Sequence, residues 1–248
     1  MTKTLRFALA APLALALAAC GGNAAEEETG AIEGEAIAAI PAPEGSSWLE
    51  VASKTDKGGF VIGNPDAPLK LVEFASHTCG ACAYFATSGS APLQEKYVES
   101  GVVSYEIRPL LRDPLDMTIT TIVQCGTPES FHALSDQGWA SLQQFSENLN
   151  ANEAAYSNAM EAAPERRFLA LAEAAGLIEF FAARGISADQ ARTCLTDTDN
   201  ISKIAEVSRN ASSELNVTGT PTFFLNGRRL QENQWQALEP VLQAAGAR

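Results

Sequence analysis

The sequence predicts an α/β domain whose opening strand–helix–strand unit is separated from a β-hairpin and closing helix by a helical insertion at about residues 113–215. Three observations predict this layout. The run Leu69–Ala75 (LKLVEFA) is apolar at nearly every position, as a strand buried on both faces would be. Roughly 100 residues in the middle of the chain carry helical patterning, broken at Gly126, Pro128, Pro164, Gly176 and Gly185. Asn226-Gly227, between Thr222–Leu225 and Arg228–Leu230, is a strong two-residue hairpin signal.

The chain starts with Lys3 and Arg6, followed by a thirteen-residue apolar stretch, Phe7–Ala19. That stretch is too short to span a bilayer and has the length of a signal h-region. It ends in Leu17-Ala18-Ala19-Cys20, which resembles the lipobox of bacterial lipoproteins and makes Cys20 the expected lipidation site; an ordinary signal peptide is the alternative. Residues 1–20 are therefore read as signal and anchor, and the protein as exported, periplasmic and membrane-tethered. Residues 21–47 are rich in Ala, Gly and Glu and lack aromatics, so they are expected to form a disordered acidic linker. The net charge is −13, and losing residues 1–19, which hold Lys3 and Arg6 and no acid, makes it −15. This acidity argues against nucleic acid as a partner, which wants a basic stripe.

The folded part is expected over residues 48–248, one domain with an insertion. Phe60–Ile62 reads as a short edge strand and Gly63–Pro68 (GNPDAP) as a turn. After Leu69–Ala75, helix is expected from Cys79 to about Glu99, ended by Gly101, and strand at Val102–Ile107. Helices are expected near 114–125, 128–149, 152–160, 164–174, 177–183, 187–195 and 199–215, and a last one at Trp235–Ala245.

Cys79-Gly80-Ala81-Cys82 stands at the first strand-to-helix junction. Cysteines at i and i+3 lie one helical turn apart and can bridge to each other. The first lies at a helix N-terminus, where such thiols have a pKa of roughly 3.5–7.5 instead of about 8.5. A dithiol/disulfide centre is thus the expected chemistry. Of five cysteines, four remain if Cys20 carries lipid. The tight spacing of Cys79 and Cys82 leaves Cys125 to pair with Cys194, against the alternative of two separate buried thiols. A zinc site would need a second ligand pair at similar spacing, and the sequence has none.

Two motifs together resemble the DsbA family of exported thiol–disulfide oxidoreductases, whose thioredoxin fold is split by an inserted helical domain. They are Val72-Glu73-Phe74-Ala75-Ser76-His77-Thr78-Cys79-Gly80-Ala81-Cys82 and Val217-Thr218-Gly219-Thr220-Pro221-Thr222-Phe223-Phe224. The resemblance covers about residues 60–248. It implies that Cys79, the more exposed thiol, is the nucleophile and that Cys82 resolves mixed disulfides. It implies that Pro221 is cis and faces the cysteine pair, and that Thr220 offers backbone groups to an extended peptide. It implies that Glu73 is a buried acid beneath Cys82 able to exchange its proton; from the residues alone, a strand-end carboxylate facing water or a lysine is the alternative. His77 is either a cation that favours the Cys79 thiolate or an exposed loop residue, and His132 is expected on a helix surface.

The sequence departs from the strongly oxidising archetype at Gly80-Ala81, where Pro-His would stand, and at Thr220, which is more like the exported isomerases and reductases. The resulting expectation is an enzyme that forms or exchanges disulfides in exported proteins with cysteines, without cofactor or metal, and that relies on a membrane redox partner. The alternatives are an isomerase or reductase with the same site, or a Cu(I) metallochaperone using Cys79, Cys82 and His77.

Overall fold

The computed structural model describes residues 32–248. The expected signal peptide, Cys20 and the linker up to residue 31 lie outside the described residues.

Six strands form one sheet: β1 (Ala52–Lys54), β2 (Phe60–Ile62), β3 (Leu69–Ala75), β4 (Val103–Pro109), β5 (Thr222–Leu225) and β6 (Arg228–Arg229), in the order β1-β2-β4-β3-β5-β6. β3 and β4 are parallel, Leu69 opposite Val103 through Ala75 opposite Pro109, and every other pairing is antiparallel. β3 is thus central, flanked by β4 and β5. That position explains its nearly continuous apolar sequence. It also puts Glu73 directly between Ile107 and Phe223.

The helix after β3 begins as α1 (Gly80–Phe85) and widens into π turns at Ala86–Ser90 and Leu93–Val98, on either side of Pro92. Pro92 lacks the N–H that a regular helix needs there. Beyond β4 come α2 (Pro114–Val123), α3 (Pro128–Ala140), α4 (Leu142–Ala151), α5 (Glu153–Glu161), α6 (Pro164–Ala175), α7 (Leu177–Ala182), α8 (Ala188–Thr196) and α9 (Thr198–Glu214), and α10 (Trp235–Ala244) closes the chain. Local chemistry sets these boundaries. Prolines occupy the first turns of α2, α3 and α6, where a missing N–H costs nothing. Gly176 ends α6 at φ 72°. Asp113, Ser187 and Asp197 cap α2, α8 and α9. The single helix expected over 128–149 is two, because Ser141 leaves helical geometry. The break lets Trp139 reach the Ser76 carbonyl while Phe145 turns into the insertion against Phe180.

Sheet and insertion share one large apolar core, running from Phe60, Leu71 and Phe85 through Ile119 and Phe131 to Phe181 and Leu195. Among the described residues no helix is long and apolar enough to cross a membrane.

Residues 32–47 correct the expectation of a disordered linker for that part of the segment. Gly34 N–H donates to the Ala244 carbonyl (2.8 Å), Ile37 N–H to Gly246 (2.9 Å) and Ile40 N–H to Ser100 (2.8 Å). Ile32, Ile37 and Ile40 are half-buried while Glu33, Glu35 and Glu44 face solvent. Acidic composition concealed isoleucines that help dock the strand-like segment, Ile37 beside the end of α10 and Ile40 beside Ser100. A side chain at Gly34 would run into the Ala245 carbonyl.

Cys125, just beyond α2, and Cys194, in α8, are joined as a disulfide with Cα atoms 6.3 Å apart and a sequence separation of 69. Closing such a loop stabilises a chain by about 4 kcal/mol in the entropic description. The double substitution Cys125→Ala with Cys194→Ala should lower the melting temperature by about 10 °C while leaving Cys79 reactive. An unchanged melting temperature would show that the bond adds nothing to stability.

Candidate active site

β3 delivers the chain to the site. It ends at Ala75, and a short turn, closed by Cys79 N–H to the Ser76 carbonyl at 3.2 Å, carries it into α1. Thr78 fixes this turn by donating its hydroxyl to Asp113 Oδ2 at 2.6 Å. Cys79 is the N-cap residue of α1, with extended backbone, and its Sγ accepts from the Cys82 N–H at 3.4 Å. Both cysteines are free thiols. Gly80 and Ala81 between them are exposed.

The loop before β5 closes the other side. The Thr220–Pro221 peptide bond is cis, and the Thr220 carbonyl accepts from Cys79 Sγ at 3.2 Å. Cys79 is 3% exposed and Cys82 1%, so the expected contrast in exposure is nearly absent. The contrast lies in electrostatics instead. Hydrogen bonding from the Cys82 thiol, then from the Thr220 side chain and the Cys82 and Ala81 N–H groups, lowers the Cys79 pKa to about 5 against the opposing effect of burial. The Thr220 carbonyl favours the thiol form of Cys79, and the donors facing the sulfur outweigh it. Burial first, then donation to Cys79 and the neighbouring Glu73 charge, pushes Cys82 far above the ordinary thiol range.

Glu73 lies beneath the pair on β3, 1% exposed. Its Oε2 accepts from the Tyr105 hydroxyl on β4, and its Oε1 has no partner. Burial raises its pKa to about 8, opposed by the Tyr105 bond and reinforced by Asp136 and Cys79. Asp136, on α3, accepts from Ser90 Oγ at 2.9 Å and is itself raised to about 6 by burial. Tyr105 is raised as well, by burial first and then the Glu73 charge. The alternative of a water-facing Glu73 is thus excluded.

His77 corrects both of its expected readings. It is 4% exposed, with Nδ1 2.9 Å from Thr120 Oγ1 and Nε2 3.2 Å from Ser135 Oγ, and its ring stacks on Trp139. Burial lowers its pKa to about 3, so it is a neutral ring inside the protein, neither a surface residue nor a cation beside Cys79. Asp116 anchors the same turn: its Oδ1 accepts from His77 N–H at 2.8 Å and its Oδ2 from Arg112 N–H at 3.0 Å. His132, expected at a surface, is 3% exposed, with Nε2 3.0 Å from the Phe60 carbonyl. In both cases the helices of the insertion fold back over the sheet and cover positions that look exposed on one helix or loop alone.

Sequence reasoning missed Tyr105, Asp116, Asp136, Thr120 and Ser135. Asp113-Pro114 announces a helix start, and an acid two residues later reads as ordinary first-turn chemistry. Nothing in the sequence places Asp136 near β3.

Residues 55–244 match a family model described as Thioredoxin. The structure is similar to a crystal structure of protein-disulfide isomerase from Novosphingobium aromaticivorans, with 33% identity and a TM-score of 0.71, over 75% of this chain and 96% of that one. It shares its fold with Wolbachia pipientis alpha-DsbA1 at 19% identity and a TM-score of 0.60, over 75% and 91% of the two chains. A Rickettsia bellii protein provisionally named as a protein-disulfide oxidoreductase is 22% identical over 199 residues, 79% of this chain and 68% of that protein. A Rickettsia conorii protein with a similar provisional name is 27% identical over 181 residues, 72% of this chain and 57% of that protein. The matched region thus spans somewhat over half to two-thirds of these relatives. The family match runs from before β2 to the end of α10, across the whole site, and the chain belongs to the thioredoxin family.

Proposed function

We propose that this chain is a protein thiol–disulfide oxidoreductase acting through Cys79 and Cys82 on cysteines of other exported proteins. The observation that carries the reading is the asymmetry of the two thiols. Two cysteines one turn apart have pKa values driven in opposite directions, one toward thiolate and one held protonated. A purely structural disulfide has no need of that division.

In the oxidised enzyme a substrate thiolate attacks Cys79 Sγ. The Cys79–Cys82 bond breaks, and the electron pair and a proton go to Cys82. A second substrate thiolate then attacks the substrate sulfur of the mixed disulfide and releases Cys79 as thiolate. The substrate loses two electrons and the enzyme gains them. Glu73, protonated below about pH 8, supports the reading as the proton partner of buried Cys82. Each turnover needs a partner that restores the starting redox state, for which a membrane protein is our proposal. The leader-like residues 1–20 and the Cys125–Cys194 bond support an oxidising, extracytoplasmic location, with Cys20 as lipid anchor.

The name of the 33%-identical Novosphingobium protein favours a second reading, isomerisation at the same site. The copper reading loses its third ligand, because both His77 ring nitrogens are engaged by Thr120 and Ser135. Two substrates separate the remaining readings. An oxidase form should refold a fully reduced protein, and an isomerase form should reactivate a scrambled one. Failure with both would remove the oxidase and isomerase readings and leave the reductase.

A further inference from the structure

We propose that the groove beside Thr220 selects substrate segments bearing an acidic side chain near the reacting cysteine. This rests on the oxidoreductase reading and names its substrate class. The groove has a volume of about 430 Å³ and lies between the Leu110–Arg112 connection, α9 and the loop Val217–Thr220. It is therefore at the seam between the insertion and the sheet. Its lining includes Thr220, whose carbonyl is 3.2 Å from Cys79 Sγ. A peptide in the groove would run toward the sulfur that its own thiolate attacks.

The walls are fixed. Ser208 Oγ accepts from Leu111 N–H at 2.8 Å, and Ser212 donates its hydroxyl to the Val217 carbonyl at 2.9 Å, so α9 is pinned to both neighbouring walls. At Gly219 an added Cβ would meet nothing within 4 Å, so the loop backbone borders open space.

The charge is what distinguishes this place. The chain has 30 acidic and 17 basic residues, yet the ionisable residues lining the groove are Arg112 and Arg209 alone. Both are exposed, and neither forms an ion pair among the described residues. The nearest acid in sequence, Asp113, is committed elsewhere, accepting from the Thr78 hydroxyl at 2.6 Å and Asp116 N–H at 2.9 Å. Arg229, which donates to the Asn216 carbonyl at 2.9 Å, adds positive charge beside the same loop. Guanidinium groups bind carboxylates through paired N–H donors. The chain's net charge of −13 disfavours the approach of acidic segments in general, so the two arginines set both the approach and the position of such a substrate.

The step tested is attack of a peptide thiolate on Cys79 Sγ, breaking the Cys79–Cys82 bond and leaving Cys82 with the electron pair and a proton. Oxidised protein is mixed with capped peptides that hold one cysteine flanked by Glu, Gln or Lys. Each rate is divided by the rate at which the same peptide reduces a small uncharged disulfide, which corrects for differences in thiol pKa. Two exposed charge contacts should favour the Glu peptide over the Gln peptide by about fivefold at low salt, with Lys slower still. The preference should fade between about 20 mM and about 500 mM salt. It should fall to near one in the double variant Arg112→Gln with Arg209→Gln, and persist in Arg184→Gln. Equal Glu and Gln rates at low salt, or a preference that survives the double substitution, would overturn the proposal. Exchange with none of the peptides would instead remove the oxidoreductase reading, and this proposal with it.

Discussion

Cys79→Ala should reduce thiol–disulfide exchange to the uncatalysed rate, whereas Cys82→Ala should keep the attack of the Cys79 thiolate on a substrate disulfide and accumulate mixed disulfides through Cys79. The two thiols divide the labour. Only a thiolate attacks a disulfide. With its pKa near 5, Cys79 is mostly thiolate at pH 6, while Cys82 stays protonated throughout the accessible range. In the reduced protein, alkylation of Cys79 should therefore rise with pH around a midpoint of about 5. The sign also bears on stability. Because the folded-state pKa is depressed, the thiolate's contribution is fully present above the ordinary thiol value and is lost as pH falls through about 5. Mass mapping after labelling at pH 6 reads the assignment directly, and equal labelling of Cys79 and Cys82 would defeat it.

The second large effect is expected at Glu73. Its pKa is raised from 4.5 to about 8, so the folded protein holds a proton there that the unfolded chain releases. Stability from this group is complete below about pH 4.5 and declines as pH rises through about 8. At about 1.36 kcal/mol per pKa unit the loss amounts to a few kcal/mol by pH 9. Glu73→Gln keeps the shape and can accept from Tyr105, but cannot ionise. The variant should match the wild type at pH 5 and exceed it at pH 9, seen as a higher urea midpoint. Parallel pH profiles for the two proteins would mean that Glu73 is not a buried titrating acid. The same substitution should slow resolution at Cys82 by about a hundredfold if the carboxyl handles its proton.

Both effects involve residues that the sequence singles out, and the reasons are local. Cys-x-x-Cys after an apolar strand, and an acid inside that strand, are patterns along the chain. The same holds for helix ends set by Pro114, Pro128, Pro164 and Gly176, and for the Asn226-Gly227 hairpin. What escaped notice depends on contacts between distant segments. β1 (Ala-Ser-Lys) is a mostly exposed edge strand with no alternation to reveal it. His77 and His132 are buried because α2 and α3 fold back over the sheet. Asp136 meets the electrostatics of Glu73 from a helix more than 60 positions away in sequence. The isoleucines of residues 32–47 have no visible purpose until the end of α10 and Ser100 stand beside Ile37 and Ile40.

The electrostatics of the site bear on one quantity, the reduction potential of the pair. A thiolate held near Thr220 and the Cys82 N–H stabilises the reduced form of the pair and makes its disulfide more oxidising. The most direct measurement is the equilibrium of Cys79–Cys82 with a glutathione redox buffer at pH 7, read by mass after acid quench and alkylation. The account requires a reduction potential above about −270 mV, the value of thioredoxin. A potential at or below that value would contradict it, and would make this site a reductant despite its lowered thiol.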